Sequence, residues 1–169
     1  VLNKEVEEFE NLFSEFSNSK FTIGCANGTD AIELILRSLE IGFGDEVIIP
    51  TNSYIATAYA VSRTGAKPVF VDNDEFYLIN ISEIQKKISK KTKAIIAVNL
   101  YGQKADLKSL ALISKQNSIY LIEDSAQSHG AYNSKFSNNY SIGAAYSFYP
   151  GKNLGAWGDG GAVTTNNKK

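Results

Sequence analysis

Two residues offer chemistry first. Lys152 stands in Pro150-Gly151-Lys152-Asn153-Leu154-Gly155, on a run of small and stiff residues just after an apolar stretch. A lysine on such a short loop can approach a ligand at a sheet edge. Burial or a neighbouring cation would remove its proton and make it a nucleophile toward a carbonyl. The plainer alternative is a surface lysine lying along a loop. Gly151-Lys152 has a superficial likeness to a nucleotide P-loop, but that motif needs glycine at 146 and serine or threonine at 153. Tyr146 and Asn153 stand there instead.

Asp124 closes the apolar run Tyr120-Leu121-Ile122-Glu123. A carboxylate at that point costs desolvation energy unless it meets a cation or several donors. A protonated pyridine nitrogen is one such cation; a helix or turn cap and a metal ligand are alternatives. Only Glu123 and the more distant His129 stand near it as further metal ligands, which is thin support for a metal centre. Gln127, three residues on, can reach the same ligand. His129, the single histidine, reads as a hydrogen-bonded loop residue or as a general base.

A third cluster is Asn27-Gly28-Thr29-Asp30, placed between a strand-like and a helix-like segment. Free backbone N–H groups at a helix start attract anions, and the helix dipole adds to that attraction. Gly28 allows close backbone approach and the Thr29 hydroxyl can donate to a phosphate oxygen. The alternative is a plain cap by Asn27 or Thr29. Tyr54, opening another helical segment, can stack on a flat ring or simply pack helix against sheet.

These residues need elements to hold them. Strands are expected at Phe21–Cys25, Glu46–Pro50, Lys67–Val71, Lys93–Val98, Tyr120–Asp124, Ala144–Phe148 and Gly161–Thr165. Helices lie between them. One carries Ala31, Leu34, Ile35, Leu36 and Leu39 on its apolar face and ends at Gly42 and Gly44. A second runs from about Tyr54 to Arg63, with Ile55, Ala58, Tyr59 and Ser62 on one side and Gly65 interrupting it. A third starts at Asn80, with Glu83 completing a capping box, and ends near Ser89. A fourth is capped by Asp106 and carries Leu107, Leu110, Ala111, Leu112 and Ile113. Residues from His129 to Ile142 read as a polar loop. Such alternation implies an α/β domain with a largely parallel sheet, whose ligands gather at the strands' carboxyl ends.

The totals set outer bounds. The 169 residues suit one domain. Lys plus Arg number 17 and Asp plus Glu 18, so charge gives no reason to expect nucleic acid or an anionic membrane as partner. One cysteine, Cys25, forms no internal disulfide, and a cytoplasmic setting is expected. No apolar run reaches the roughly 18 residues of a membrane span. Methionine is absent and both ends resemble cuts, so a fragment of something longer is expected.

Taken in order, the motifs resemble the nucleotide-sugar branch of the fold-type-I pyridoxal-phosphate aminotransferases, the DegT/DnrJ/EryC1-like enzymes. The most specific stretch is Ser147-Phe148-Tyr149-Pro150-Gly151-Lys152-Asn153-Leu154-Gly155, followed by Gly158-Asp159-Gly160-Gly161-Ala162. Asn27–Ala31, Gly44–Ile48, Leu100–Asp106 and Glu123–Gly130 match upstream. Asn138-Asn139-Tyr140-Ser141 departs from the usual Gly- and Asp-containing turn.

The resemblance implies an α/β large domain with a central, mostly parallel sheet flanked by helices. Residues 1–169 form part of it, with the C-terminal small domain outside the chain. It implies pyridoxal phosphate as cofactor, with Lys152 in Schiff-base linkage and Asp124 on the pyridinium nitrogen. Gln127 lies near the ring hydroxyl and Tyr54 on the ring. Gly28, Thr29, Asp30 and Ser147 belong to the cofactor-binding set, the phosphate being held by the backbone at Gly28 and Thr29 and by the Thr29 and Ser147 hydroxyls. No metal is implied. It further implies glutamate and a nucleotide-linked keto-sugar as substrates, with amination at C3 of a dTDP-keto-6-deoxyhexose, in a homodimer whose partner completes the site. Action at C4 or on another cyclic ketone, or a regulatory protein that binds cofactor without turnover, are the alternatives.

Overall fold

The computed structural model describes residues 3–131 and 140–168. Among them, seven strands form one sheet: β1 (Phe21–Cys25), β2 (Glu46–Pro50), β3 (Lys67–Val71), β4 (Thr92–Val98), β5 (Tyr120–Asp124), β6 (Gly143–Ser147) and β7 (Gly161–Thr165). The order across the sheet is β1-β7-β6-β5-β4-β2-β3. The pairs from β3 to β6 are parallel; β7 alone runs against its neighbours. The strand segments read from the apolar runs agree with these bounds to within a residue at either end.

Five α-helices among the described residues cover the sheet: α1 (Lys4–Ser17), α2 (Gly28–Ser38), α3 (Ile55–Arg63), α4 (Ile81–Lys87) and α5 (Leu107–Asn117). Alternation along each strand divides the core in two. Val47, Ile49, Ile96, Ile122 and Ala145 pack with Ala31, Ile32 and Leu36 of α2 and Ala60 and Val61 of α3. Ile48, Ile95, Ala97 and Leu121 face the other way, onto Ile84 of α4 and Leu110 of α5. On that second side Ala144 and Tyr146 meet Phe13 of α1. The result is the three-layer α/β/α arrangement expected for the central, mostly parallel sheet.

Several local expectations are corrected. Helix α1 was not read from the sequence, although Asn3 caps it by accepting from the Val6 amide and two acidic residues occupy its first turn. Helix α2 ends before either glycine. Glu40 takes the left-handed conformation (φ 58°), with Glu40 N–H donating to Arg37 O and Ile41 N–H to Leu36 O. Those two bonds make a Schellman cap, and burial of Ile41 beside Leu36 outweighs the strain on Glu40. In α2 it is Ile32, not Leu34, that is buried, and in α5 Leu112 is exposed. The inner face of α3 is Thr57, Ala60 and Val61, so the expected Ile55 and Tyr59 point outward. Asn80 caps α4 through the Ser82 amide, while Glu83 pairs with Lys86 and closes no capping box. Of the expected polar loop, residues 132–139 lie outside the described residues.

Candidate active site

Strand parity brings the chemistry together. Ile96 and Ile122 face α2 and α3, so Val98 and Asp124, two residues further on, face the same way. Ala145 does the same, and Ser147 follows it. All three positions lie at the carboxyl ends of β4, β5 and β6. There they meet the start of α2, the start of α3 and the loop after β6, around an open cleft of about 710 Å³. Gly28, Thr29, Tyr54, Asp124, Gln127, Ser147 and Lys152 all line it.

The start of α2 is pressed onto the sheet. A methyl group at Gly28 would come to 2.8 Å from Ser147 Cβ, and one at Gly161 would overlap the Asn27 backbone. Glycine at both positions therefore lets the α2 N-terminus reach β6 and β7. Asn27 Oδ1 accepts the Asp30 amide, which caps the third helical N–H. The amides of Gly28 and Thr29 make no hydrogen bond among the described residues. Two open N–H groups, the Thr29 and Ser147 hydroxyls and the positive helix end suit a phosphate. Asp30 is placed differently. Its carboxylate accepts from Arg63 at 2.9 Å and from Asn27 Nδ2 at 3.2 Å, and it does not line the cleft.

Asp124 is buried at the cleft that Lys152 also lines. Its Oδ2 accepts the Thr57 hydroxyl at 2.7 Å and its Oδ1 accepts the Ala126 amide at 3.1 Å. Burial pushes its carboxyl above the usual range, and the Thr57 and Ala126 donors and the Lys152 charge pull the other way. A cation entering the cleft would add to that pull, and the donor set leaves lone pairs for one. The carboxylate thus fits a protonated ring nitrogen.

The Lys152 loop is tightly closed. Lys152 N–H donates to Tyr149 O at 2.8 Å, Ala156 N–H to Phe148 O at 2.7 Å and Phe148 N–H to Gly160 O at 2.7 Å. A side chain at Gly155 would collide with the Pro150 carbonyl. The half-buried Lys152 is held against the same cleft as Asp124.

On the opposite lip, Gln127 Oε1 accepts the Tyr101 amide at 3.0 Å. Tyr101 has φ 57°, an uncommon conformation for a non-glycine residue. Because a backbone N–H can only donate, the atom facing it is the amide oxygen. Gln127 Nε2 is left as a donor without a hydrogen-bond partner among the described residues. Beneath this turn Asn99 accepts the Ala105 amide and donates to Glu123 and Ser125. His129 packs against Tyr146 and Phe148, ring centroids 5.5 and 5.4 Å away, with the α1-side cluster rather than on the cleft wall. Burial lowers its pKa and keeps the ring neutral.

The model of the DegT/DnrJ/EryC1/StrS aminotransferase family matches residues 2–169. The chain belongs to that family. Members with which it can be compared include the dTDP-3-amino-3,6-dideoxy-alpha-D-galactopyranose transaminase of Aneurinibacillus thermoaerophilus, 51% identical over 98% of this chain and 46% of that protein. A pleiotropic regulatory protein of Geobacillus stearothermophilus is 45% identical over 98% of this chain and 45% of its own length. The crystal structure of ntda from Bacillus subtilis with bound cofactor PMP superposes with a TM-score of 0.94 at 34% identity, covering 99% of this chain and 38% of that one. The chain thus spans under half the length of these relatives.

Within this DegT/DnrJ/EryC1/StrS chain, the structure also brings in residues the sequence reading did not single out. Thr57 and Ser53 reach the cleft from α3 and the turn before it, and Val98 and Asp159 complete its walls. A threonine in the first turn of a helix carries no signal of its own. Its link to Asp124 spans 67 positions in the chain and becomes visible only when α3 is laid on the sheet. Among the described residues no cluster of three potential metal ligands occurs, and no helix is long and apolar enough to cross a membrane.

Proposed function

We propose that this chain is part of the cofactor-binding large domain of a pyridoxal-phosphate-dependent aminotransferase. It would move an amino group from glutamate to a nucleotide-linked keto-sugar, at C3 of a dTDP-keto-6-deoxyhexose. The observation that carries the reading is the shared cleft of Lys152 and Asp124, with the two open amides of Gly28 and Thr29 at another wall. Membership of the family supports the reaction class, and the C3-amino sugar in the name of the Aneurinibacillus relative supports the position.

Pyridoxal phosphate, when bound, supplies an aldehyde that captures amines and a ring that accepts electron density from the adjoining carbon. The chain's own residues do the rest. The α2 amides of Gly28 and Thr29, with the Thr29 and Ser147 hydroxyls, hold the phosphate. Asp124 keeps a proton on the ring nitrogen by charge pairing, and Gln127 Nε2 donates toward the ring oxygen. Tyr54, exposed at the lip, covers a ring face. The Lys152 amine would hold the aldehyde and, when free, would take up and hand back the proton of the amino donor's α-carbon.

The protein would act in the cytoplasm, as a homodimer whose partner completes the site, with the small domain supplied by sequence outside this chain. The exposed Tyr54 and Tyr149, which line the cleft, supply aromatic surface for such a neighbour. The decisive experiment incubates the intact protein with glutamate and a panel of nucleotide-linked keto-sugars, with the products identified by mass spectrometry and NMR. A C3-amino sugar carries the proposal. Amination at C4 or of another cyclic ketone moves it to a different substrate.

A second reading is a regulatory protein that keeps the cofactor site without turnover, favoured by the Geobacillus relative's name. It requires cofactor uptake with no amino exchange between glutamate and 2-oxoglutarate.

A further inference from the structure

The hydrogen bonds on Asp124 run in one direction and start at a residue outside the strand that carries it. An ionised carboxylate only accepts. Its Oδ2 takes the single hydroxyl proton of Thr57 at 2.7 Å. Thr57 Oγ1 also lies 2.6 Å from Ser53 Oγ. With its own proton committed to Asp124, Thr57 must accept there, so Ser53 is the donor. The chain is therefore Ser53 to Thr57 to Asp124.

The surroundings give this chain its weight. Thr57 is 1% exposed and Asp124 is 6% exposed, so water does not readily replace the hydroxyl. The other oxygen, Oδ1, is pinned by the Ala126 amide. One donor on each oxygen fixes the plane of the carboxylate; with either lost, the group can turn about its bond to Cβ. Lys152, from the loop after β6, is the charged side chain that acts on Asp124. Thr57 stands one helical turn after Tyr54, so the same end of α3 that offers a ring-covering aromatic also grips the carboxylate.

We infer that Thr57, backed by Ser53, is a positioning residue that aims the Asp124 carboxylate at a cationic ring nitrogen. This rests on the proposed cofactor reading. The role belongs to the hydroxyl and not to the methyl group that packs beside it. Thr57→Val keeps the shape and removes the donor, whereas Thr57→Ser keeps the donor and removes the methyl.

The test uses the intact apo-protein, titrated with pyridoxal phosphate and with the analogue whose ring nitrogen is replaced by C–H. Binding is followed by absorbance and tryptophan fluorescence. Thr57→Val is expected to weaken pyridoxal phosphate roughly tenfold to a hundredfold, the range of one charge-assisted hydrogen bond. The nitrogen-free analogue should bind it as it binds the wild type. Thr57→Ser should stay near wild type and Ser53→Ala should lose a few-fold, again for pyridoxal phosphate alone. Equal losses for both ligands, or equal losses in the valine and serine variants, would overturn the inference in favour of simple packing. If Thr57→Val does not fold, the same comparison of ligands in Ser53→Ala and Thr57→Ser decides: unchanged discrimination in Ser53→Ala overturns it. A wild-type protein that binds neither ligand overturns the functional reading itself.

Discussion

Gly28 at the start of α2 rests directly on Ser147 at the end of β6, with 2.8 Å left between Ser147 Cβ and where a methyl on Gly28 would sit. Three elements meet at that contact: the helix terminus, the strand that leads to Lys152 and the β7 glycine behind Asn27. Gly28→Ala must push α2 away from the sheet. The expected result is a loss of about 1–3 kcal/mol of stability, seen in thermal or urea unfolding, and a weaker grip on inorganic phosphate and on pyridoxal phosphate alike. Unchanged anion affinity would show that the α2 N-terminus is not the phosphate site.

Removal of the amine should separate holding from chemistry. Lys152→Ala is expected to abolish the absorption band of lysine-bound cofactor while the protein still takes up the cofactor through its phosphate. Amino transfer should fall by at least about a hundredfold, the usual contribution of a positioned proton carrier. Survival of the band in the variant would remove Lys152 from the anchoring role.

Burial of Asp124 predicts opposite effects on stability and binding. Its folded-state pKa lies above its unfolded value. The unfolded chain therefore releases this proton first, and the site's contribution to stability falls as pH rises between the unfolded and folded pKa values. Asp124→Asn removes that loss. The apo-variant is expected to be at least as heat-stable as the apo wild type at neutral pH, with the gain shrinking on acidification. The same change should weaken cofactor binding by roughly a hundredfold or more, because a buried cation loses its partner. Calorimetry of the two apo-proteins across pH checks the first part, and cofactor titration the second.

Gln127 has its oxygen tied to the Tyr101 amide, so only its nitrogen is left for a ligand. Gln127→Glu replaces that donor by a second acceptor and should weaken cofactor binding about tenfold while displacing the absorption maximum of the bound form. A variant that binds normally with an unshifted spectrum would mean that Gln127 holds the Tyr101 turn and nothing else.

Much of this was legible in the chain. Val47-Ile48-Ile49 and Tyr120-Leu121-Ile122 are strands by composition alone, and Asp106 caps its helix as its type suggests. Lys152, Asp124 and the Asn27-Gly28-Thr29 start were visible as motifs because their local neighbours are so constrained. The surfaces of helices were less legible. Ile55 and Tyr59 lie at helical spacing on one side of α3, yet Thr57, Ala60 and Val61 are the buried residues. Small residues let α3 lie close to α2 and the sheet, and hydrophobicity by itself does not report that.

The sequence by itself determined the alternation of strands and helices from Phe21 onward, a lysine on the short loop at 152, the strand-end carboxylate of Asp124 and the family resemblance. Those rest on local propensity and on contiguous residues. Only the tertiary structure decided that Thr57 donates to Asp124, that Gly28 must be bare because Ser147 is behind it, and that Asp30 turns to Arg63 rather than to the cleft. Each of these is a contact between distant parts of the chain, set by how closely α2 and α3 dock on the sheet. Packing distance of that kind is a property of the whole fold and leaves no mark on the residues taken one segment at a time.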